Sequence, residues 1–191
     1  MKYYVVKYAG QFGFIKPWTA VRDSETFSQQ FLTPSIVEGM EKKLFPELLK
    51  DRGIFKIVRH RVAYDQMTAQ QEQIQPRGWN ITSKMARRDY AILVRGVLLY
   101  PKLYLAFEDK KDAEIAFTQH LCLCRNEDVV FPQSIDVVEQ SEFNSNEDKF
   151  AGYELIFEEN EQSFLVGYNR FNENKPMHGW LKVLGNPVKS F

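Results

Sequence analysis

Residues Phe31 to Leu49 read FLTPSIVEGMEKKLFPELL, and this stretch decides the fold. Thr33 is a favourable N-cap and Pro34 fits the first helical position, so a helix is expected to begin here. A stripe of apolar residues then recurs with helical period: Ile36, Val37, Met40, Leu44 and Leu48. The pattern predicts a helix whose apolar face packs on a sheet.

Gly39 lies inside this predicted helix, where glycine costs about 1 kcal/mol relative to alanine. We expect another backbone to approach closely at that point, either the sheet beneath or a ligand above. Lys42 and Lys43 occupy the opposite side and predict a basic edge. An ordinary amphipathic helix with solvated lysines is the alternative interpretation.

The composition is that of an ordered globular protein, since 44% of the 191 residues are hydrophobic and 14% are aromatic. No apolar run reaches the roughly 18 residues that a membrane-spanning helix needs. The strand-like stretch from Met1 to Gly10 contains no cleavable apolar segment. The two cysteines, Cys122 and Cys124, are too few for a disulfide framework. We expect a cytoplasmic protein that does not bind a membrane.

The charges balance overall but are distributed unevenly along the chain. Between Arg52 and Arg95 nine basic residues accompany three acidic ones, whereas between Asp136 and Gln162 nine acidic residues accompany one lysine. The basic segment predicts a surface for a polyanion, because the local field governs such binding more than the net charge does. Two charged faces that merely keep the protein soluble are the alternative.

The order of the predicted elements indicates the fold class. Strand patterns cover 2–9, 54–62 and 128–138. The stretch 89–107 predicts a strand pair or one bent strand, with the bend at Gly96 or Pro101. A second helix is predicted over 112–124. The elements follow one another in the order strand, helix, strand, projecting segment, strand, helix, strand. This order predicts an α+β fold with a ferredoxin-like βαββαβ core.

We expect one domain over 1–138 and a C-terminal β extension over 139–191, packed on the same core. The extension is expected to contain a hairpin at 153–157 and 164–168 and a final strand at 180–184.

Two segments do not fit a compact core. Residues 14–32 predict a long polar arm that wraps a surface or a ligand. Residues 64–86 are glutamine-rich, are broken by Pro76 and Gly78, and hold apolar side chains in polar surroundings. They predict a projecting hairpin or flexible loop, here called the thumb.

The sequence assembles no catalytic or metal-binding constellation. His120, Cys122 and Cys124 resemble metal ligands, but on the predicted helix Cys122 points away from the other two, so we expect buried thiols and no metal. His60 and Tyr64 are a candidate acid–base pair, but their spacing on the predicted strand indicates only a shared face. No phosphate-binding glycine loop and no activated nucleophile are found. We therefore expect no cofactor and no catalytic residue.

A resemblance to a known family rests on two stretches, GFIKPWTAVRDSETFSQQFLTPSIVEGMEKKLF (13–45) and IFKIVRHRVAY (54–64). They resemble the N-terminal half of the fifth Cas protein family (Cas five) of type I CRISPR systems, particularly its subtype I-C form. Thr33, Pro34, Ser35 and Gly39 match the family's helix start. Three later stretches are similar in order and spacing: RRDYAILVRGVLLYPKLYLAF (87–107), AFTQHLCLCRNEDVVFP (116–132) and HGWLKVLG (178–185).

The resemblance implies an RNA-recognition fold that binds the 5′ handle of a CRISPR RNA at the foot of a multi-subunit interference complex. Basic side chains would meet phosphates, and Trp18 and Trp79 would stack on splayed bases, although Trp18 is equally a candidate core residue of the arm. The RNA-binding residues implied are Lys16, Trp18, Arg22, Ser35, Lys42, Lys43, Arg59, Arg61, Arg77, Trp79, Lys84, Arg87 and Arg88.

Subtype I-C members cut the precursor RNA with a tyrosine just after this helix and a Lys-His pair. Phe45 takes the tyrosine position, and the pair aligns loosely with Lys110, Lys111 and Asp112, so the histidine is absent. Without a general base, metal-free RNA cleavage loses its main means of activation. A binding subunit without nuclease activity is therefore expected. The alternative is a metal-independent endoribonuclease that uses His60 or His120.

The resemblance also implies partners. They are the CRISPR RNA, the backbone-forming Cas seven subunit, whose neighbour would contact the thumb, and a large subunit that reads target DNA, so this chain would meet DNA only indirectly. A second alternative is a protein–protein adaptor without RNA binding, whose acidic C-terminal part is the working surface.

Overall fold

The computed structural model describes residues 1–17, 25–74, 78–88, 91–169 and 172–189. The strands are β1 (Lys2–Ala9), β2 (Phe12–Gly13), β3 (Glu25–Phe27), β4 (Ile57–Ala63), β5 (Gln66–Ile74), β6 (Trp79–Thr82), β7 (Met85–Arg88), β8 (Ala91–Leu99), β9 (Lys102–Phe107), β10 (Leu121–Cys122), β11 (Val129–Glu139), β12 (Gly152–Ile156), β13 (Phe164–Asn169) and β14 (Lys175–Leu184). The helices are α1 (Pro34–Leu44), α2 (Lys110–Phe117), α3 (Gln140–Ser145) and α4 (Glu147–Phe150), and a 3₁₀ helix spans Pro46–Lys50.

One eight-stranded sheet organises the chain in the order β10-β11-β1-β9-β4-β12-β14-β13. All its neighbours are antiparallel. Helix α1 lies between β1 and β4 along the chain, and α2 lies between β9 and β11. The fold is mixed α/β with strands predominating, which confirms the α+β expectation at that level. None of the described helices is long and apolar enough to cross a membrane.

Helices cover both faces of this sheet, because the strands alternate apolar side chains between two cores. The core beneath α1 and α2 includes Val6, Val37, Leu105 and Ala113. The core beneath α3 and α4 includes Tyr3, Val5, Phe143 and Phe150.

Helix α1 has the predicted start and the predicted buried stripe. Val37, Met40 and Leu44 are buried, and Thr33 takes the extended backbone of an N-cap, although its side chain makes no capping hydrogen bond. The α-helix ends at Leu44 because Pro46 lacks the N–H that its continuation would need. The sheet does not approach Gly39, which is exposed with no atom within 4 Å of where a Cβ would stand. That part of the expectation is wrong.

The thumb is longer than the sequence indicated. β5 pairs with β8 from Gln66↔Leu99 to Ile74↔Ala91, and the short hairpin β6–β7 lies between them in the chain. The stretch 89–107 is therefore two strands, of which β8 belongs to the thumb and β9 to the main sheet. The break falls at Tyr100, which has a φ of 50°, just before Pro101.

The second helix was predicted too long. α2 ends at Phe117, and Leu121 and Leu123 are then buried in alternation with more exposed neighbours, which is the pattern of an extended strand. His120 therefore follows the helix, and the expectation of thiols buried under a helix is wrong. Cys122 is half-buried, Cys124 is exposed, and both are free.

The predicted C-terminal hairpin also has a different partner. β12 and β13 do not pair with each other, because β14 lies between them and pairs with both. β14 is ten residues long, whereas the sequence indicated a strand only over 180–184.

Candidate nucleic-acid interface

The hairpin β6–β7 brings three of the predicted RNA-binding residues together. Trp79 and Ile81 alternate onto one face, Arg87 stands opposite Asn80 on the other face, and Lys84 lies in the turn. Trp79 is 59% exposed and Ile81 is 74% exposed. A two-stranded hairpin with exposed aromatic, aliphatic and basic side chains is typical of a segment that binds a partner.

The other lysines implied as RNA ligands, Lys16, Lys42 and Lys43, differ in whether their charge is already paired within the protein. Lys42 forms an i,i+4 ion pair with Glu38, and both side chains are half-buried. Burial opposes ionisation of Glu38, but hydrogen bonds from Lys42 and from the Gly53 backbone N–H outweigh it and lower the pKa of this carboxyl group. Lys43 and Lys16 are exposed. The charge of Lys42 is therefore already matched by Glu38, so this lysine should attract a phosphate less strongly than Lys43 or Lys16.

Ser35 is exposed in the first turn of α1, and its Oγ lies 3.1 Å from Thr33 Oγ1. Three implied RNA ligands, Trp18, Arg22 and Arg77, lie outside the described residues, and of Arg88 only the backbone in β7 is described. Their roles stay predictions.

Arg61 is not available to RNA, which corrects the expectation for this residue. Its side chain is fully buried, Nε donates to Glu154 Oε2 at 3.0 Å, and Nη1 donates to the carbonyl oxygens of Phe143 and Phe150. A guanidinium held in this way cannot reach a phosphate without breaking the core.

Arg59 is occupied in a similar manner. Its Nε and Nη2 donate to the two carboxylate oxygens of Glu154, and its Nη1 donates to Asn144 Oδ1 at 2.9 Å. Burial opposes ionisation of Glu154, but the two guanidiniums outweigh it and lower the pKa of this carboxyl group. The alternating basic face of β4 is thus an internal ion-pair cluster.

The positions implied for RNA cleavage lie near one another without forming a catalytic set. Phe45 is buried against Phe107, and the Lys56 ammonium lies 4.1 Å from the centre of the Phe45 ring. Lys56 Nζ also donates to Asp112 Oδ1 at 2.8 Å. Lys110 forms an ion pair with Glu114. This arrangement offers no hydroxyl group and no imidazole at the position of the family's tyrosine.

The two alternative histidines are placed differently. His60 is 4% exposed, and burial lowers its pKa to about 4. Tyr64, its candidate partner, has its pKa raised to about 12 by burial. His120 is exposed, with its ring 6.1 Å from that of Phe131. Among the described residues no cluster of three or more His, Cys, Asp or Glu side chains could hold a metal ion.

Sequence reasoning missed the residues that hold the base of the thumb. Arg95 on β8 forms an ion pair with Glu72 on β5, and the guanidiniums of Arg95 and Arg125 both lie over the ring of Phe14, at 5.2 and 5.7 Å. Arg125 is held in turn by Asp128 through two hydrogen bonds of 2.7 and 2.8 Å. These contacts tie the thumb to the segment before β11.

Glu154 was missed as well, although the sequence carries a signal for it. It is a single acidic residue inside the apolar strand β12, and an acid in that setting indicates a buried ion pair. Its two basic partners share one face of β4 because they are two residues apart.

Fold and site together define a mixed α/β protein with a projecting hairpin that carries aromatic and basic side chains. In fold the chain is similar to a chain of a solved structure titled "CRISPR RNA-guided surveillance complex", with a TM-score of 0.52 and 13% sequence identity. The match covers 97% of this chain and 92% of that chain. No family model matches the sequence, and no curated protein matches it significantly.

Proposed function

We propose that this chain is a subunit of a CRISPR RNA-guided complex of the Cascade type, in which it binds the 5′ handle of the CRISPR RNA and caps the backbone of the effector. The observation that carries the proposal is the fold similarity, over nearly the whole chain, to a chain of the structure titled "CRISPR RNA-guided surveillance complex". The sequence resemblance to the Cas five family supports the same role independently.

The topology supports a ferredoxin-like core for this function. The four strands β11-β1-β9-β4 are antiparallel neighbours, and α1 and α2 connect them in the order strand, helix, strand, strand, helix, strand. On this proposal residues 1–138 form the RNA-binding domain, residues 139–191 extend its sheet, and the protein works in the cytoplasm.

The thumb is the proposed contact for both RNA and the Cas seven backbone subunit. Exposed Lys84 and Arg87 would neutralise phosphates, and Trp79 would stack on a base. Exposed Lys16 and Lys43 would add phosphate contacts from the body, and Lys42 and Ser35 would add further contacts from α1. The large subunit and target DNA would meet this chain through the assembled complex.

The experiment is binding of a labelled RNA that carries the repeat of the host's CRISPR array, measured by fluorescence anisotropy over a range of salt concentrations. The double variant Lys84→Ala/Arg87→Ala should bind more weakly, and the slope of log affinity against log salt should fall by about 1.4, since each lost phosphate contact removes about 0.7. The control Lys50→Ala/Lys175→Ala removes two exposed charges elsewhere and should keep the slope. Equal slopes for parent and thumb variant would overturn the role of the thumb.

Precursor processing is the second candidate function, and the structure argues against it on one specific point. Phe45 is buried in the core and supplies no hydroxyl group. Incubation of the chain alone with repeat RNA should leave the RNA intact. Specific products with a 2′,3′-cyclic phosphate would establish the endoribonuclease, and an absence of any RNA affinity would leave the adaptor.

A further inference from the structure

A cleft interrupts the main sheet between β4 and β12. The two strands pair only where Tyr153 meets Val62, and residues of both strands line the cleft beside that pair. The resulting cleft has a volume of about 600 Å³. This is within the range of small-molecule sites, roughly 300–1,000 Å³.

Aromatic side chains line much of this cleft. They come from three different strands or strand ends: Tyr3, Phe157 and Trp180. Flat apolar walls of this kind bind planar rings by stacking.

The charges that line the cleft differ in how far they are paired. Arg59 and Lys182 line it, and among the described lining residues Glu154 is the one buried carboxylate, which already pairs with Arg59 and with Arg61 of the core. Burial and the nearby guanidiniums of Arg61 and Arg59 lower the pKa of Lys182. A cation destabilised by neighbouring cations is stabilised when an anion binds beside it. The other lining carboxylate, Glu158, is exposed and hence strongly screened by solvent.

The ring of His60 also borders the cleft, where it packs 5.1 Å from the ring of Phe157. Its Nδ1 is buried and inaccessible from the cleft. The imidazole therefore offers a ligand a flat ring surface and no hydrogen bond.

We propose that the cleft between β4 and β12 binds one nucleoside phosphate, with its phosphate at Lys182 and its base against the aromatic walls. The described residues that line the cleft include none from the hairpin β6–β7, so we treat this site as separate from the proposed thumb contact. The ligand is either a free mononucleotide or one nucleotide of a bound RNA, and in the second case the inference rests on the proposed function.

The test is calorimetric titration of the full chain with each of the four nucleoside 5′-monophosphates, with inorganic phosphate, and with the repeat RNA. At least one mononucleotide should bind, and Lys182→Met should weaken it about tenfold, the effect expected for the loss of a charge-assisted contact. Lys175→Met is the matched control, because it removes an exposed lysine from the same strand β14. His60→Phe keeps a flat ring against Phe157 and should bind about as tightly as the parent.

The results separate this site from the proposed function. If a mononucleotide binds to the parent and to Lys175→Met but not to Lys182→Met, the proposed cleft site is supported. This conclusion holds even if the repeat RNA does not bind at all, a result that would refute only the proposed function. If no mononucleotide binds and Lys182→Met leaves RNA binding unchanged, only the proposed cleft site is refuted. Inorganic phosphate that binds as tightly as the best mononucleotide would also refute it, since the walls would then select no base.

Discussion

Arg61 Nε lies 3.0 Å from Glu154 Oε2 in an ion pair whose two side chains are 0% and 1% exposed. Arg59 shares the same carboxylate from the neighbouring position on that face of β4. Two guanidiniums on one buried carboxylate join β4 to β12 where the backbone ladder between these strands is reduced to a single pair of residues. The cluster thus takes the place of missing backbone hydrogen bonds.

Removal of the shared charge should destabilise the fold strongly. Glu154→Gln would leave two buried or half-buried guanidiniums without an anion, and the loss of one partner from a buried pair costs about 3–5 kcal/mol. Chemical denaturation at neutral pH measures this free energy of unfolding. The control Glu158→Gln, at an exposed carboxylate four residues along, should change it by less than about 0.5 kcal/mol. Equal stability of the two variants would contradict the structural role of the cluster.

His60, which lies between Arg59 and Arg61 on β4, predicts how stability depends on pH. Burial lowers the pKa of His60 from 6.5 to about 4, so between these values the unfolded state binds a proton that the folded state does not. Stability should therefore fall as pH is lowered through this window, by about 2 kcal/mol between pH 7 and pH 5. Glu154 acts in a lower window, because its folded-state pKa is depressed and its contribution is lost only below the unfolded value of about 4.5.

Denaturant midpoints at pH 7 and pH 5 test the assignment to His60. The variant His60→Phe keeps the ring contact with Phe157 and should lose most of the difference between the two pH values. If the difference persists in this variant, another group is responsible.

Local periodicity explains what the sequence could predict. The first strand has the expected bounds, Lys2–Ala9, and α1 has the expected start and buried stripe, because alternation and helical spacing are visible within a few residues. The later errors are failures of non-local information. Nothing near β12 indicates that β14 pairs with it in place of β13.

The same limit explains the errors at the site. The family resemblance implies that Arg59 and Arg61 are RNA ligands, but the carboxylate that neutralises them lies 93 residues beyond Arg61 in the chain. One short hairpin of ten residues brings Trp79, Lys84 and Arg87 together, so their placement follows from neighbouring sequence. Local signals therefore locate the thumb, whereas the partners of buried charges require the fold.

Gly39→Ala should raise stability while it tests the RNA surface. The position is inside α1 and faces open space, so alanine should stabilise the helix by about 0.5–1 kcal/mol without a clash. If RNA passes close to this turn of the helix, as the matching Thr33-Pro34-Ser35 start suggests, the added methyl group should weaken RNA binding at the same time. Thermal unfolding and anisotropy on the same samples measure both effects, and a loss of stability would contradict the open environment.

Trp79→Ala should weaken RNA binding without unfolding the protein. Its side chain is 59% exposed, so its removal should change the free energy of unfolding by less than about 0.5 kcal/mol. Base stacking on an aromatic ring contributes about 1–3 kcal/mol, which corresponds to a loss of affinity of about 5- to 150-fold.

The salt dependence distinguishes stacking from charge at this hairpin. Stacking releases no counterions, so the slope of log affinity against log salt should be the same for Trp79→Ala as for the parent, in contrast to the Lys84→Ala/Arg87→Ala variant. Phe131→Ala is the matched control, because Phe131 is 55% exposed on β11, outside the thumb. Equal losses of affinity in the two aromatic variants would mean that the ring of Trp79 has no specific contact with RNA, and the thumb would then bind by charge alone.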